Sequence, residues 1–501
     1  MGGKQFANAS PGAPGLGSLR TGLCPWGGDP SHLGIWESTN PVRASRERLA
    51  APQVPQVVGY IRPCLTHKMA TPLKALQFSK LLSSLSTAQS VSPRRSSVST
   101  RLFLCASFLA GAASVSAQQP LSLADAALQG RTLFQQSGFT SMVLVVVRDH
   151  ETMMEGYGET FPGSAHTPNS NSLIRLCSLS KVFTTDLLLR LSADRKLSLA
   201  DPLERFAPPG KHVPLADDGT RITLRDLATH TAGLPREVGA YPAKAPHFTF
   251  PSYTVRWAWL QKQKLLTPPG TAALYSNVGF DFLGDALAIA SAKSYAQLLH
   301  DRLLQPLGMW DTTLVPTFDQ CSRLLRGERD EGPCTDTLAS GASGGIYSTP
   351  ADMVKFLQYL LQIPGSPAQP PTALGVSLEP HLLKSVQGLS HAGDPTGIGL
   401  AWIQLGDPTT PSSILEKTGG GGGFSTYIAL SPSHHTAVFV AATEGKNDWK
   451  IDLFHEANNL LAALANVPPL PPKMHVSRAA TKRSKSSKRK KTTHATKHPA
   501  Q

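Results

Sequence analysis

The chain of 501 residues has no internal repeats, and it lacks the regular alternation of strand and helix patterns that marks a parallel-sheet enzyme. No metal-ligand or cofactor motif stands out, so neither a metal nor a cofactor is expected. The one apolar run near the N-terminus, Leu102 to Ala113, is too short to span a membrane as a mature helix, which needs about 20 residues. Acidic residues are scarce at both ends. Residues 1–117 hold 12 Lys and Arg against 3 Asp and Glu, and residues 473–501 hold 10 Lys and Arg and no acid. The overall charge of +14 therefore sits in the ends, and residues 118–472 carry a net −5. A basic nucleic-acid-binding core is excluded, and no nucleic-acid partner is expected.

What is present suits an exported protein. Arg94, Arg95 and Arg101 flank Leu102–Ala113, and Val115-Ser116-Ala117 offers small residues for cleavage before Gln118. Residues 94–117 are therefore expected to be a signal peptide, with a periplasmic destination. Residues 1–93 read as a non-native or disordered extension rich in Pro, Gly and Ser, with the true start expected at Met69 or later. The composition, 41% hydrophobic, allows a large core in residues 118–466. Residues 467–501 are Pro-rich, then basic, and are expected to be disordered. They serve either as a solvated tail or as an electrostatic contact to anionic envelope polymers or a membrane surface. Of six cysteines, only Cys177, Cys321 and Cys334 fall in the mature part. Cys321 and Cys334 flank a short polar loop and are expected to form a disulfide, the alternative being two free thiols. Cys177 reads as a small core residue.

The local patterns predict an α+β protein. Ser141–Val147 reads as a buried strand, Gly156–Glu159 as turn material and Asn169–Ser172 as a loop. Helices are expected from Ser178 to Ala193, over 222–234 closed by Gly233, from Asn277 to Ala292, from Pro350 to Leu361 and over 449–466. Phe424–Leu430 and Thr436–Ala442 read as a hairpin. The sheet would draw strands from both chain ends around a helical insertion.

Three stretches carry chemistry. Ser178 and Lys181, at i and i+3, share a helix face. A serine needs a base, and a lysine is one only when desolvation or neighbouring positive charge lowers its pKa. The pattern alone is weak, because Ser487-Lys488-Arg489-Lys490 repeats it in the tail. Tyr275-Ser276-Asn277 precedes a helix. Tyr275 could relay a proton, and the Asn277 amide could hold both the lysine and a substrate carbonyl. The bland alternative is a turn aromatic and a helix cap. Lys417-Thr418-Gly419 opens a strand-like stretch and runs into Gly420–Gly423. Lysine and threonine there can grip a carboxylate, and the glycines let a peptide lie on the strand edge. The Gly420 and Ser178 amides could form an oxyanion hole, worth roughly 3–4 kcal/mol per donor. A rival, Gly341-Ala342-Ser343-Gly344-Gly345, fits the nucleophile elbow of α/β-hydrolases, but no strand–helix frame surrounds it.

Together, Ser-x-x-Lys, Tyr-x-Asn and Lys-Thr-Gly in this order resemble the serine β-lactamase and penicillin-binding-protein superfamily, in its class C-like branch. The segments 157–163, 228–237, 343–353 and 416–427 are similar to the AmpH-type D-alanyl-D-alanine carboxypeptidase/endopeptidase group, as is the Cys321/Cys334 pair. The resemblance covers about residues 120–466. It implies a β-lactamase/DD-peptidase fold, peptidoglycan peptides and β-lactams as partners, and an acyl-enzyme on Ser178. It also implies Lys181 as base, Tyr275 as proton relay, Asn277 in positioning, and Lys417, Thr418 and Gly419 in substrate binding. A class C-like β-lactamase or a family VIII-like esterase using the same serine is the alternative.

Overall fold

The computed structural model describes residues 119–239, 249–329, 332–364, 392–445 and 451–471. The expected signal peptide, the N-terminal extension and the basic part of the tail lie outside the described residues. The first residues of the Pro-rich segment are described, and Leu470 packs against the core.

The described residues form nine strands: β1 (Ser141–Arg148), β2 (Glu151–Gly158), β3 (Ile174–Arg175), β4 (Tyr347–Ser348), β5 (Pro395–Ile398), β6 (Ile403–Leu405), β7 (Ile414–Gly421), β8 (Phe424–Ser431) and β9 (Thr436–Thr443). Seven form one antiparallel sheet in the order β2-β1-β9-β8-β7-β6-β5, and β3 pairs with β4. The unbroken apolar run of β1 follows from its place inside the sheet, covered on both faces. Val143, Val145 and Val147 enter one core, while Met142, Leu144 and Val146 enter another. Burial of each such side chain stabilises by about 1.5–3 kcal/mol. β9 repeats the arrangement with Ala437, Phe439 and Ala441 against Val438, Val440 and Ala442. Val145 stands opposite Phe439, so the first and last of these strands along the chain pair inside the sheet.

Helix α1 (Leu123–Ser137) and the helix Leu453–Ala465 cover one face, through Ala126, Leu460, Leu461 and Leu464. The other face carries α2 (Ser180–Ala193), α3 (Leu224–Ala228), α4 (Tyr253–Leu260), α5 (Asn277–Ser291) and the helix Pro350–Leu360. Cys321 and Cys334 are joined as a disulfide. Among the described residues no helix is long and apolar enough to cross a membrane.

Three readings need correction. Gly156–Gly158 is strand, not turn. β2 is an edge strand with exposed Glu151, Thr152 and Glu155, so it carries little apolar signal. Gly156 is there because a Cβ would stand 1.9 Å from the Pro168 carbonyl oxygen. The helix expected over 222–234 ends at Ala228, because His230 takes φ +61° and the Thr231 amide turns back to Asp226 O. Lys417 lies inside β7 rather than at its start.

Candidate active site

The serine turn is built before the helix begins. Cys177 has φ +52°, which no α-helix tolerates, and Cys177–Leu179 forms a single 3₁₀ turn ahead of α2. The expectation of a helix starting at Ser178 is therefore corrected by two residues. The turn is held from three sides. The Ser180 hydroxyl donates to Cys177 O at 2.7 Å, the Leu176 amide donates to Ile346 O at 2.9 Å, and the Thr426 hydroxyl donates to Leu176 O at 2.9 Å. β7 then presses on it. A Cβ at Gly419 would lie 2.2 Å from Thr426 Oγ1, 2.8 Å from Leu176 O and 3.2 Å from the Ser178 amide nitrogen. Only glycine lets the strand come this close.

Lys181 is fully buried one turn on. Its Nζ stands 2.7 Å from Asn277 Oδ1, 2.5 Å from Ser343 O and 3.3 Å from Ser178 Oγ. A neutral amine has two protons and one lone pair. The two short contacts take the protons, which leaves the lone pair toward the serine. Burial pushes Lys181 down to about 7, against the opposing pull of the Asp281 and Glu237 carboxyls.

Tyr275 approaches from the other side, its Oη 2.5 Å from Ser178 Oγ. Its backbone is bracketed by His230. The Leu274 amide donates to His230 O at 2.8 Å, and the Ser276 amide donates to His230 Nδ1 at 3.2 Å. The imidazole also lies 4.5 Å from the Tyr275 ring, centroid to centroid. With Nδ1 accepting, the ring proton belongs on Nε2. Burial and the nearby Lys181 hold His230 far below its ordinary value, so it stays neutral. Ser276 caps α5 by accepting from the Gly279 amide at 2.9 Å, which sets Asn277 at the helix start.

Three basic groups surround the Tyr275 ring: Arg236 at 4.7 Å, Lys181 at 4.9 Å and Lys417 at 5.7 Å from its centroid. Lys417 is buried and donates to Thr418 O at 2.7 Å. Burial first, and Lys181 with Arg236 in addition, bring it down to about 8. Thr418 is buried beside it. The structure thus brings Ser178, Lys181, Tyr275, Asn277 and Lys417 into one cluster, with Gly419 against the serine turn.

The rival at Ser343 is no nucleophile elbow, as its sequence surroundings implied. No strand precedes it, and the short strand β4 follows, not a helix. Its hydroxyl is buried and turned to Ser340 O at 3.3 Å, while its carbonyl holds Lys181. Asn277 keeps Oδ1 for Lys181, but its Nδ2 donates to Glu237 Oε1 at 2.5 Å rather than standing wholly free for a substrate. His230, Arg236, Glu237 and Asp281 were given no role from the sequence. The first three lie in the segment 228–237. Asp281 repeats the Asn277 position one helical turn later, a spacing that could have marked it.

The model of the beta-lactamase family matches residues 124–469. The chain belongs to the beta-lactamase family. It is a serine hydrolase with the β-lactamase/DD-peptidase fold. It is 38% identical over 374 residues to the D-alanyl-D-alanine-carboxypeptidase/endopeptidase AmpH of Escherichia coli (strain K12), covering 73% of this chain and 96% of that protein. A beta-lactamase of Lysobacter lactamgenus is 24% identical over 397 residues, covering 71% and 96%. Among solved structures, the beta-lactamase/D-alanine carboxypeptidase from Yersinia pestis, complexed with citrate, superposes with a TM-score of 0.64 at 38% identity. It covers 69% of this chain and 99% of that one.

Proposed function

We propose that this protein is a serine D-alanyl-D-alanine carboxypeptidase/endopeptidase that trims peptidoglycan peptides in the periplasm through an acyl-enzyme on Ser178. The observation that carries the reading is the hydroxyl of Ser178 held between a desolvated amine and a phenol, 3.3 Å from Lys181 Nζ and 2.5 Å from Tyr275 Oη. Ser178 Oγ attacks the carbonyl between the two D-alanines, and its proton passes to Lys181. The amides of Ser178 and Gly420 receive the oxyanion. The C–N bond breaks as Tyr275 passes a proton to the leaving amine, and water then releases the acyl group. Lys417 and Thr418 grip the substrate carboxylate, and Gly419 keeps the strand edge open. The same steps on the bond to a cross-linked neighbour give endopeptidase action, and a β-lactam is a slowly released acyl donor. The 38% identity to AmpH over most of both chains supports this substrate class.

Residues 118–466 form the catalytic part in this reading. Residues 94–117 direct export, 1–93 play no part in the enzyme, and the tail from 467 serves attachment to the envelope, not turnover.

The test is intact-protein mass after exposure to benzylpenicillin, with product analysis on purified cross-linked muropeptides. An adduct is expected on the wild type and absent in Ser178→Ala, with D-alanine and split dimers among the products. A folded wild type that forms no adduct and releases no D-alanine sinks the reading. Fast loss of the adduct with no peptide cleavage would instead make the protein a β-lactamase.

A further inference from the structure

The two ends of the Asn277 amide do opposite jobs. Oδ1 accepts from Lys181 Nζ at 2.7 Å, and Nδ2 donates to Glu237 Oε1 at 2.5 Å. A carboxylate only accepts hydrogen bonds, whereas an amide accepts at one end and donates at the other. Glu237 therefore fixes which end of Asn277 faces it, and so which end faces Lys181. The two ends are nearly equal in size, so packing does not choose between them. A half-turn of the amide would exchange them. Nδ2 would then meet the lysine, and the amine would have to accept with its lone pair. That lone pair is the one that takes the serine proton, so the exchanged amide disables the base. The other partner of Lys181, Ser343 O at 2.5 Å, is a backbone carbonyl and has no second sense.

We propose that Glu237 is a positioning residue for the general base: it fixes the sense of the Asn277 amide and, through that amide, aims the lone pair of Lys181 at Ser178. The inference rests on the reading of Ser178 as the acylated residue and Lys181 as its base.

Glu237 is held where this choice is made. The Ser276 hydroxyl donates to Pro235 O at 2.7 Å, and the Asn277 and Val278 amides donate to Arg236 O at 2.9 and 3.3 Å. These bonds clip the chain before Glu237 to the first turn of α5. The positive end of that helix also favours a carboxylate beside it. Arg236 Nε stands 3.8 Å from Glu237 Oε1, beyond hydrogen-bond reach, and so leaves that oxygen to the amide. The Glu237 side chain is 24% exposed, so water can replace its bond to Asn277, and the net worth of that bond to stability is small. Orientation and folding are therefore separable at this position. Glutamine at 237 offers both an acceptor and a donor. Either sense of Asn277 is then satisfied, and a share of the molecules holds a disabled base.

The experiment measures benzylpenicillin adduct formation by intact mass against penicillin concentration, at about pH 8.5. Burial brings Lys181 down to about 7, so the amine is free of its proton there. Losing the Glu237 charge lowers Lys181 further, so charge alone does not slow the reaction at this pH. The proteins are wild type, Glu237→Gln, Asn277→Ala and the double variant. Glu237→Gln is expected to lower the limiting rate about tenfold, with the half-saturating concentration little changed. Added to Asn277→Ala, it is expected to cost less than about twofold more. An unchanged limiting rate in Glu237→Gln overturns the proposal. Equal losses in both backgrounds also overturn it, because Glu237 then acts without Asn277. A change confined to the half-saturating concentration makes Glu237 a substrate contact instead. Glu237→Met, which removes the acceptor altogether, repeats the test should the first variant fail to fold. A wild type that forms no adduct removes the acylation reading itself, whereas an adduct formed equally fast by wild type and Glu237→Gln removes this inference alone.

Discussion

Glu416 and Lys417 are neighbours in β7, yet they face opposite sides of the sheet, and both are buried. On the Glu416 side the carboxyl is tied to neighbouring polar groups, although Asn458 Nδ2 has no partner. The Ala392 amide donates to both carboxyl oxygens at 3.1 Å, and the Tyr427 hydroxyl contacts Glu416 and, at 2.7 Å, Asn458 Oδ1. One hydroxyl proton cannot serve two oxygens. A protonated Glu416 donating to Tyr427, which donates on to Asn458, satisfies the chain, and burial does push Glu416 up to about 7. On the Lys417 side basic groups gather around Tyr275, and the serine hydroxyl is only partly buried. Burial drives an ionisable group toward its neutral form on either side of the strand. The difference lies in whether partners close the site or leave it open to a substrate.

Substitutions at the two positions should therefore separate activity from stability. Lys417→Met is expected to lower kcat/KM on D-alanyl-D-alanine peptides by about 10²–10³-fold, with the urea midpoint unchanged or raised. A midpoint that falls along with activity would show Lys417 to be structural. Glu416→Ala should do the reverse. It strands the Ala392 amide and leaves the Tyr427 hydroxyl with Asn458 alone, and should cost about 1–3 kcal/mol in urea unfolding, while kcat/KM moves far less than in Lys417→Met.

The smallest expected effect is a pair of opposed pH slopes. Glu416 binds its proton more tightly in the folded state, with a pKa of about 7 against 4.5, so its contribution to stability falls as pH rises between those values. Lys417 binds its proton less tightly when folded, about 8 against 10.5, so its contribution rises across that higher window. Melting temperatures against pH should show the decline flattened in Glu416→Gln and the rise reduced in Lys417→Met. Identical profiles for the three proteins would refute both assignments.

The features legible in the sequence were those in which residue type alone carries the chemistry. The serine at 178, the lysine at 181, the tyrosine at 275 and the Lys-Thr-Gly-Gly run at 417–420 stand in motifs, and their order along the chain pointed to the fold. The apolar runs of β1, β8 and β9 were readable because these strands are covered on both faces. β2 was misread because one polar face of an edge strand looks like a turn. α1 was not anticipated, since its few buried positions make a weak stripe. His230 and Glu237 stayed unread for a different reason. Their importance lies in what they touch, and a lone histidine or glutamate has no pattern until distant segments meet. The disulfide expectation rested on proximity to a short loop, which is a local property, and the pair is joined.

The pairing of β1 with β9 has a consequence for how the protein is made. Ser141 lies opposite Thr443, so the sheet stays open until almost the whole catalytic part has left the ribosome. A nascent chain cut anywhere between Lys181 and β7 would hold Ser178 and Lys181 without the glycine strand that presses on their turn. No product that lacks β7 can carry the assembled site, and the nucleophile gains its surroundings only as the last strands arrive.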